Sequence, residues 1–329
     1  MAADEEGRIG VEALRAALAQ VKGPVIVCAQ AGNIHSGSFD AFGEIAAATH
    51  AAGGWLHIDG AFGLWAAASP QLAHLVPGLA DADSWATDAH KTLNTPYDTG
   101  VAVVRDAAAL TRAFGHHAAY LLEAATPDPH EMVPEMSRRA RGVPVWAALS
   151  SLGRDGVAAL VDGMVTSARR LAEGLAQLPG VEVLHDVVYT QVSVAAESDE
   201  RTSEVLRRVL AEGVIHPSGS RWQDRTVIRF SVSNHATDAA AVDATVEAML
   251  GRWADTTGRA AGPRVVRRRP RGLPPGRPRH GPPLFCMTVA PLDVSSVLRV
   301  HARCNRGRVE TGAKRAWRHT SAWCGRTRS

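Results

Sequence analysis

The chain has 329 residues, enough for two domains with cores of their own. Its net charge of +3 hides two unlike parts: residues 1–251 hold 18 Lys+Arg against 30 Asp+Glu, and residues 252–329 hold 18 against 3. No apolar run reaches membrane-span length, and the acidic start Met-Ala-Ala-Asp-Glu-Glu lacks the apolar core of a signal peptide, so a cytoplasmic protein without membrane contact is expected.

Of the four cysteines, Cys28 lies in the acidic body and Cys286, Cys304 and Cys324 in the basic tail. None has the close paired spacing of a zinc site, so no metal is expected, and one body cysteine cannot build a disulfide framework. Along the body, apolar residues at helical spacing predict a helix over 11–21, and the apolar run 25–29 predicts a buried parallel strand. A glycine-rich turn follows at 31–37; it lacks the Gly-x-Gly-x-x-Gly pattern, which argues against dinucleotide binding. Asp40 is expected to cap a helix that Gly53-Gly54 stops, and strand 55–58 completes a strand-helix-strand unit. Strands are predicted at 84–87 and 101–105, with Asp106 capping a helix through Phe114. Helices are predicted at 145–152, 156–178, 202–212 and 237–250, and strands at 181–184, 191–195 and 226–232. The pattern is that of an α/β protein with a mainly parallel sheet, followed by a small α/β domain.

The chemistry centres on one amine. The chain writes 33 of its cations as Arg and only three as Lys, namely Lys22, Lys91 and Lys314. A guanidinium cannot condense with a carbonyl, whereas a lysine amine in a partly dry site can form a Schiff base. Thirty-two residues before Lys91, the apolar strand Trp55-Leu-His-Ile ends in Asp59-Gly-Ala61. In an open parallel sheet, ligands sit beyond the carboxyl ends of the strands, so Asp59 and the pair His90-Lys91 are expected to share one edge. An acid and an amine so placed suit pyridoxal 5'-phosphate: Asp59 would keep the pyridine nitrogen protonated, Lys91 would carry the aldehyde, and Gly60 and Ala61 would leave room for the ring.

Residues from about 7 to 249 resemble the group II pyridoxal-phosphate-dependent amino acid decarboxylases, on Asp59-Gly-Ala61, His90-Lys91, Ser137-Arg-Arg-Ala-Arg141 and Trp146 in order. The resemblance implies a fold type I transferase-like architecture, with residues 1–145 as the remaining part of the large cofactor-binding domain and 146–251 as the small domain; 252–329 lies outside the resemblance, and its alternating Pro and Arg predict a disordered tail. It implies decarboxylation of an L-amino acid at a homodimer interface, with His90 beside the cofactor phosphate. Tyr120 aligns with the loop tyrosine that handles the proton after carbon dioxide leaves, packing being the alternative. Asn33 is a candidate for a polar contact near the ring, a plain turn residue after Gly32 being the alternative. The arginines at 138–141 read as an ion-pair cluster rather than a substrate site. Two residues depart from the family: Thr92 stands where Trp is usual, and Asp88 where many relatives have Asn facing the phosphate, so a carboxylate there would repel that phosphate unless turned away or screened.

About half of the family's large domain, with its phosphate loop, has no counterpart before residue 7, so the chain reads as a remnant. The tail lacks a nucleic-acid reading motif and is expected to be a frame-shifted extension rather than a nucleic-acid binder. Two other functions stay open: an inactive fragment of such an enzyme, and a related aminotransferase or aldehyde-forming enzyme.

Overall fold

The computed structural model describes residues 2–115, 129–255 and 287–290. Its first layer is a five-stranded sheet built from β1 (Ile26–Gln30), β2 (Trp55–Asp59), β3 (Ser84–Asp88), β4 (Gly100–Val104) and β9 (Met287–Ala290), in that spatial order. Strands β1, β2 and β3 are parallel, β4 runs antiparallel to β3, and β9 lies parallel to β4. The mainly parallel sheet expected from the apolar runs is therefore present, with β9 added from within the tail. Alternation decides which face is buried. Val27, Ala29, Leu56, Ile58 and Trp85 enter one core with Phe42 and Ile45 of helix α2 (Phe42–Ala51) and Leu14 of helix α1 (Val11–Leu18). On the opposite face of β1 the side chains of Ile26, Cys28 and Gln30 are exposed.

One expected cap is corrected. Asp40 does not cap α2, whose N-cap residue is Ala41. The buried Asp40 carboxylate instead accepts from Gln30 N at 2.6 Å and Ile9 N at 2.7 Å, where two strand-edge donors would otherwise lack partners. Asp106 does cap helix α3 (Ala107–Phe114), accepting from Ala108 N.

The two helices expected at 145–152 and 156–178 are both present, meeting at a kink at Gly153 with φ 63° and ψ −173°, and together are labelled α4 (Gly142–Ala176). It serves both domains. Val161 and Val165 pack into the first core, while Met164, Ala168, Leu171 and Leu175 enter a second core with Val192, Val194, Ile228 and Trp253. That second core lies under a four-stranded antiparallel sheet, in the order β5 (Glu182–Val183), β6 (Gln191–Ala195), β8 (Arg225–Ser231) and β7 (Ser218–Trp222), with helices α5 (Asp199–Glu212) and α6 (Ala239–Asp255). Strand β7 was not expected: its Ser-Gly-Ser-Arg-Trp sequence lies on an edge with two exposed positions at its start and shows no apolar alternation to read.

Candidate active site

The register β2–β3 fixes the geometry of the site. Asp59 pairs with Ala86, and Asp88 lies two residues further along the same strand, so the Asp59 and Asp88 side chains leave the sheet on the same face. The strand spacing and rise put their Cα atoms about 8 Å apart. Two turns then interlock. Asp88 N donates to Ala61 O at 3.2 Å, which holds the start of the lysine turn against the turn after β2. The Lys91 ammonium bonds the Asp88 carboxylate at 2.8 Å and stands 4.2 Å from the centroid of the Phe62 ring. Lys91 thus pairs with a carboxylate that leaves the sheet at the same edge and on the same face as Asp59. Asp59 is exposed, and its carboxylate accepts from Ala61 N at 3.1 Å.

His90 is held against the loop that leads into β4. Its Nδ1 faces Thr99, 2.9 Å from the carbonyl O and 3.1 Å from N, and its ring lies 4.2 Å from the Tyr97 ring. Its Nε2 is 3.8 Å from Asp88, too far for a hydrogen bond. Asp88 thus faces both the Lys91 ammonium and the His90 ring. Thr92, in the place of the expected Trp, is buried and donates its hydroxyl to Phe62 O, to which the buried Tyr189 hydroxyl also donates, at 3.2 Å. Burial pushes the Tyr189 phenol up, so it is a hydrogen-bond donor and not a base.

Asn33 is brought near neither Lys91 nor Asp59 by any hydrogen bond found. Its amide donates to Gln30 Oε1 at 2.8 Å, and its Oδ1 accepts from His35 N and Ser36 N. The positive φ values of the turn fall on Gly32 at 83° and Gly37 at 73°, not on Asn33. The turn is tied to the small domain, since Ser193 Oγ donates to His35 O and His35 Nε2 bonds Ser220 Oγ at 2.8 Å. Gly60 has a different use from the one expected: a Cβ there would meet Leu64 Cβ at 2.7 Å and Ala86 O at 3.1 Å, so packing within the edge demands its bare backbone. Tyr120 lies outside the described residues.

The arginine cluster is an ion-pair anchor. Arg141 forks onto Asp98 at 3.0 and 3.1 Å, and Arg139 donates to Tyr97 O at 2.8 Å, which joins the start of α4 to the loop beyond Lys91. The Arg141 hydrogen bonds hold the Asp98 carboxyl below its ordinary range. Two site residues were not singled out from sequence. Nothing marks Phe62 as the ring beneath Lys91, whereas Asn94 carries a local signal, being a residue type tolerant of the left-handed conformation it adopts at φ 58°.

Known proteins resemble this chain in sequence and in shape. An aromatic-L-amino-acid decarboxylase of Bacillus atrophaeus is 27% identical over 252 residues, covering 71% of this chain and 52% of that protein. An L-2,4-diaminobutyrate decarboxylase of Rhizobium meliloti is 33% identical over 207 residues, covering 59% and 41%. The chain thus spans about half the length of the curated relatives it matches. Among solved structures, mouse CSAD in apo form superposes with a TM-score of 0.70 at 23% identity, covering 76% of this chain and 57% of that one. Oryza sativa TDC with PLP and tryptamine gives 0.70 at 21%, covering 77% and 56%. These likenesses show the fold, a fold type I architecture. The model of the pyridoxal-dependent decarboxylase conserved domain matches residues 1–196, and with the acid–lysine edge in place the chain belongs to that family.

Proposed function

We propose that the chain carries out pyridoxal 5'-phosphate-dependent decarboxylation of an L-amino acid, with Lys91 as the amine that attaches the cofactor. The observation that supports this is the shared edge of Asp59 and the Lys91–Asp88 pair: a carboxylate with a single hydrogen bond among the described residues and a part-exposed primary amine, on neighbouring elements of one sheet edge. That donor set fits the cofactor. When bound, it supplies an electron sink for the carbanion left by departing carbon dioxide.

The residues have separate tasks. Asp59 offers a carboxylate oxygen that keeps a proton on a facing ring nitrogen. The Lys91 amine is the nucleophile, and Asp88 with the Phe62 ring orients it. Asp88, turned toward Lys91, has its charge paired at this edge. His90 is held by Thr99 with its Nε2 toward Asp88, in place to manage a proton there. Tyr120 is proposed as the proton handler after carbon dioxide leaves, and Asn33 as a contact to the ring. For Asn33 the support is weak, because its side chain is already hydrogen-bonded within its own turn.

A homodimer fits the strongly exposed apolar side chains beside the site, Tyr97 at 72%, Trp146 at 70% and Val143 at 60%. A cytoplasmic location fits a described body whose free cysteine, Cys28, has no partner for a disulfide. Absorbance after dialysis against pyridoxal 5'-phosphate tests the central reading. A band near the visible edge that is retained by the protein and lost in Lys91→Ala is expected; a band that persists in that variant overturns it. Carbon dioxide release from an amino acid then distinguishes decarboxylation from keto-acid formation by an aminotransferase.

A further inference from the structure

The turn that carries Lys91 is joined to the small domain through one side chain. Asn94 Nδ2 donates to the carbonyl oxygens of Lys91 at 3.1 Å, Thr92 at 3.0 Å and Ser233 at 3.0 Å. Its Oδ1 accepts from His235 N at 2.9 Å and lies 3.1 Å from His235 Nδ1. The partners fix the orientation of the amide, because exchanging its two ends would aim an oxygen at three carbonyls. They also fix the histidine: Nδ1 carries the proton that reaches Asn94 Oδ1. Ser233 and His235 belong to the segment that leaves β8, and Asn94 itself holds φ 58°.

We propose that Asn94 is a positioning residue that clasps the Lys91 turn to the small domain, so that the place of the lysine at the sheet edge is set by residues 233–235 as well as by its own strand. A separate link lies in the first core, where the hydroxyls of Thr92 and of Tyr189, just before β6, share Phe62 O. The satellite cluster of Ala89 and Leu93 with Val157 buries the turn from the α4 side, whereas the backbone carbonyls of Lys91 and Thr92 reach the β8 exit only through the Asn94 amide among the contacts found. The importance for catalysis rests on the reading of Lys91 as the cofactor amine; the clasp itself does not.

Glycine at position 94 separates two explanations, since it takes the left-handed conformation freely but has no side chain to bond. If position 94 is only a turn, Asn94→Gly behaves as the parent. If it is a clasp, amide hydrogen exchange in the full chain quickens about tenfold in both segments, 89–95 and 232–236, while exchange in α5 is unchanged. Asn94→Asp provides the second variant: it tolerates the same φ but puts a carboxylate before three carbonyls, so exchange in both segments should quicken at least as much. The accompanying readout is the rate at which Lys91 is trapped by pyridoxal 5'-phosphate and borohydride, expected to fall at least threefold in Asn94→Gly. Parent-like exchange in either segment of Asn94→Gly overturns the clasp. Failure of the parent chain to be trapped at Lys91 would instead count against the cofactor reading, and the exchange data would still decide the clasp.

Discussion

The Asp88 carboxylate and the Lys91 ammonium form a 2.8 Å ion pair one turn beyond β3, with 20% and 25% of their side-chain surfaces exposed. A pair so placed, partly open to water, contributes about 1 kcal/mol or less. Asp88→Asn should therefore release the amine without unfolding the turn. The expected result is a two- to fivefold faster reductive trapping of Lys91, about what that energy gives. The same substitution should improve the binding of pyridoxal 5'-phosphate more than that of pyridoxal, because it removes a negative charge that only the phosphate would feel. Equal gains for both aldehydes would show that the carboxylate does not act on the phosphate.

Arg141→Ala should lower the thermal midpoint by stripping Asp98 of its bidentate partner. The folded-state Asp98 carboxyl lies below its ordinary range, so the stability it adds is present at neutral pH and is lost as pH falls through the folded value. The difference between the parent and Arg141→Ala should accordingly shrink in acid, as followed by urea midpoints from pH 7 to pH 3. Arg141→Lys keeps the charge without the fork and should recover only part of the loss.

His185 makes the chain acid-sensitive. Its side chain is 2% exposed, neither ring nitrogen has a hydrogen-bond partner, and Glu6 Oε2 stands 3.7 Å from Nδ1. Burial first, and then the charge of His35, brings its pKa down from 6.5 to about 4. The stability tied to the neutral ring is therefore fully present above pH 6.5 and is lost as pH falls toward 4, to a ceiling of about 3 kcal/mol. His185→Phe should flatten the dependence of the urea midpoint between pH 7 and 5. An unchanged slope in that variant would remove His185 as the cause.

Gly63 sits where the turn after β2 crosses the turn after β1. A Cβ built there runs into the carbonyl of Ala31, and Gly63 N already donates to that oxygen at 3.0 Å. Gly63→Ala should cost about 1–3 kcal/mol, the range for forcing an extra methyl into a packed site. The neighbouring Phe62 ring should shift with it, which reduced trapping at Lys91 would report. Parent-like stability would mean that the two turns can part without loss.

The acid and the lysine were legible because each announces its role locally: Asp59 closes an apolar strand, and Lys91 is a rare lysine in an arginine-rich chain. The apolar runs likewise placed β1 to β4, although β4 is antiparallel to β3 and the outer face of β1 is exposed rather than buried. What could not be read was whatever depends on pairing at a distance. Asp40 looks like a helix cap from its neighbours, yet it is spent on Gln30 N and on Ile9 N thirty-one residues away. Asn94 reads as a turn residue until Ser233 and His235 arrive from 139 and 141 residues further on. Thr92 departs from the family's Trp, and only the structure shows that its hydroxyl meets the Phe62 carbonyl, which also accepts from Tyr189.

The bond from Asp40 to Gln30 has a further effect on how molecules of this chain can meet. β1 is a border strand whose outer rim could template the backbone of a neighbour. At the rim's Gln30 end the amide is taken by the Asp40 carboxylate and the carbonyl by Asp40 N, so the rung closest to Asp59 is already closed. Intermolecular ladder growth on the described strand is thereby steered to the Ile26 end, away from the edge that carries Asp59 and Lys91.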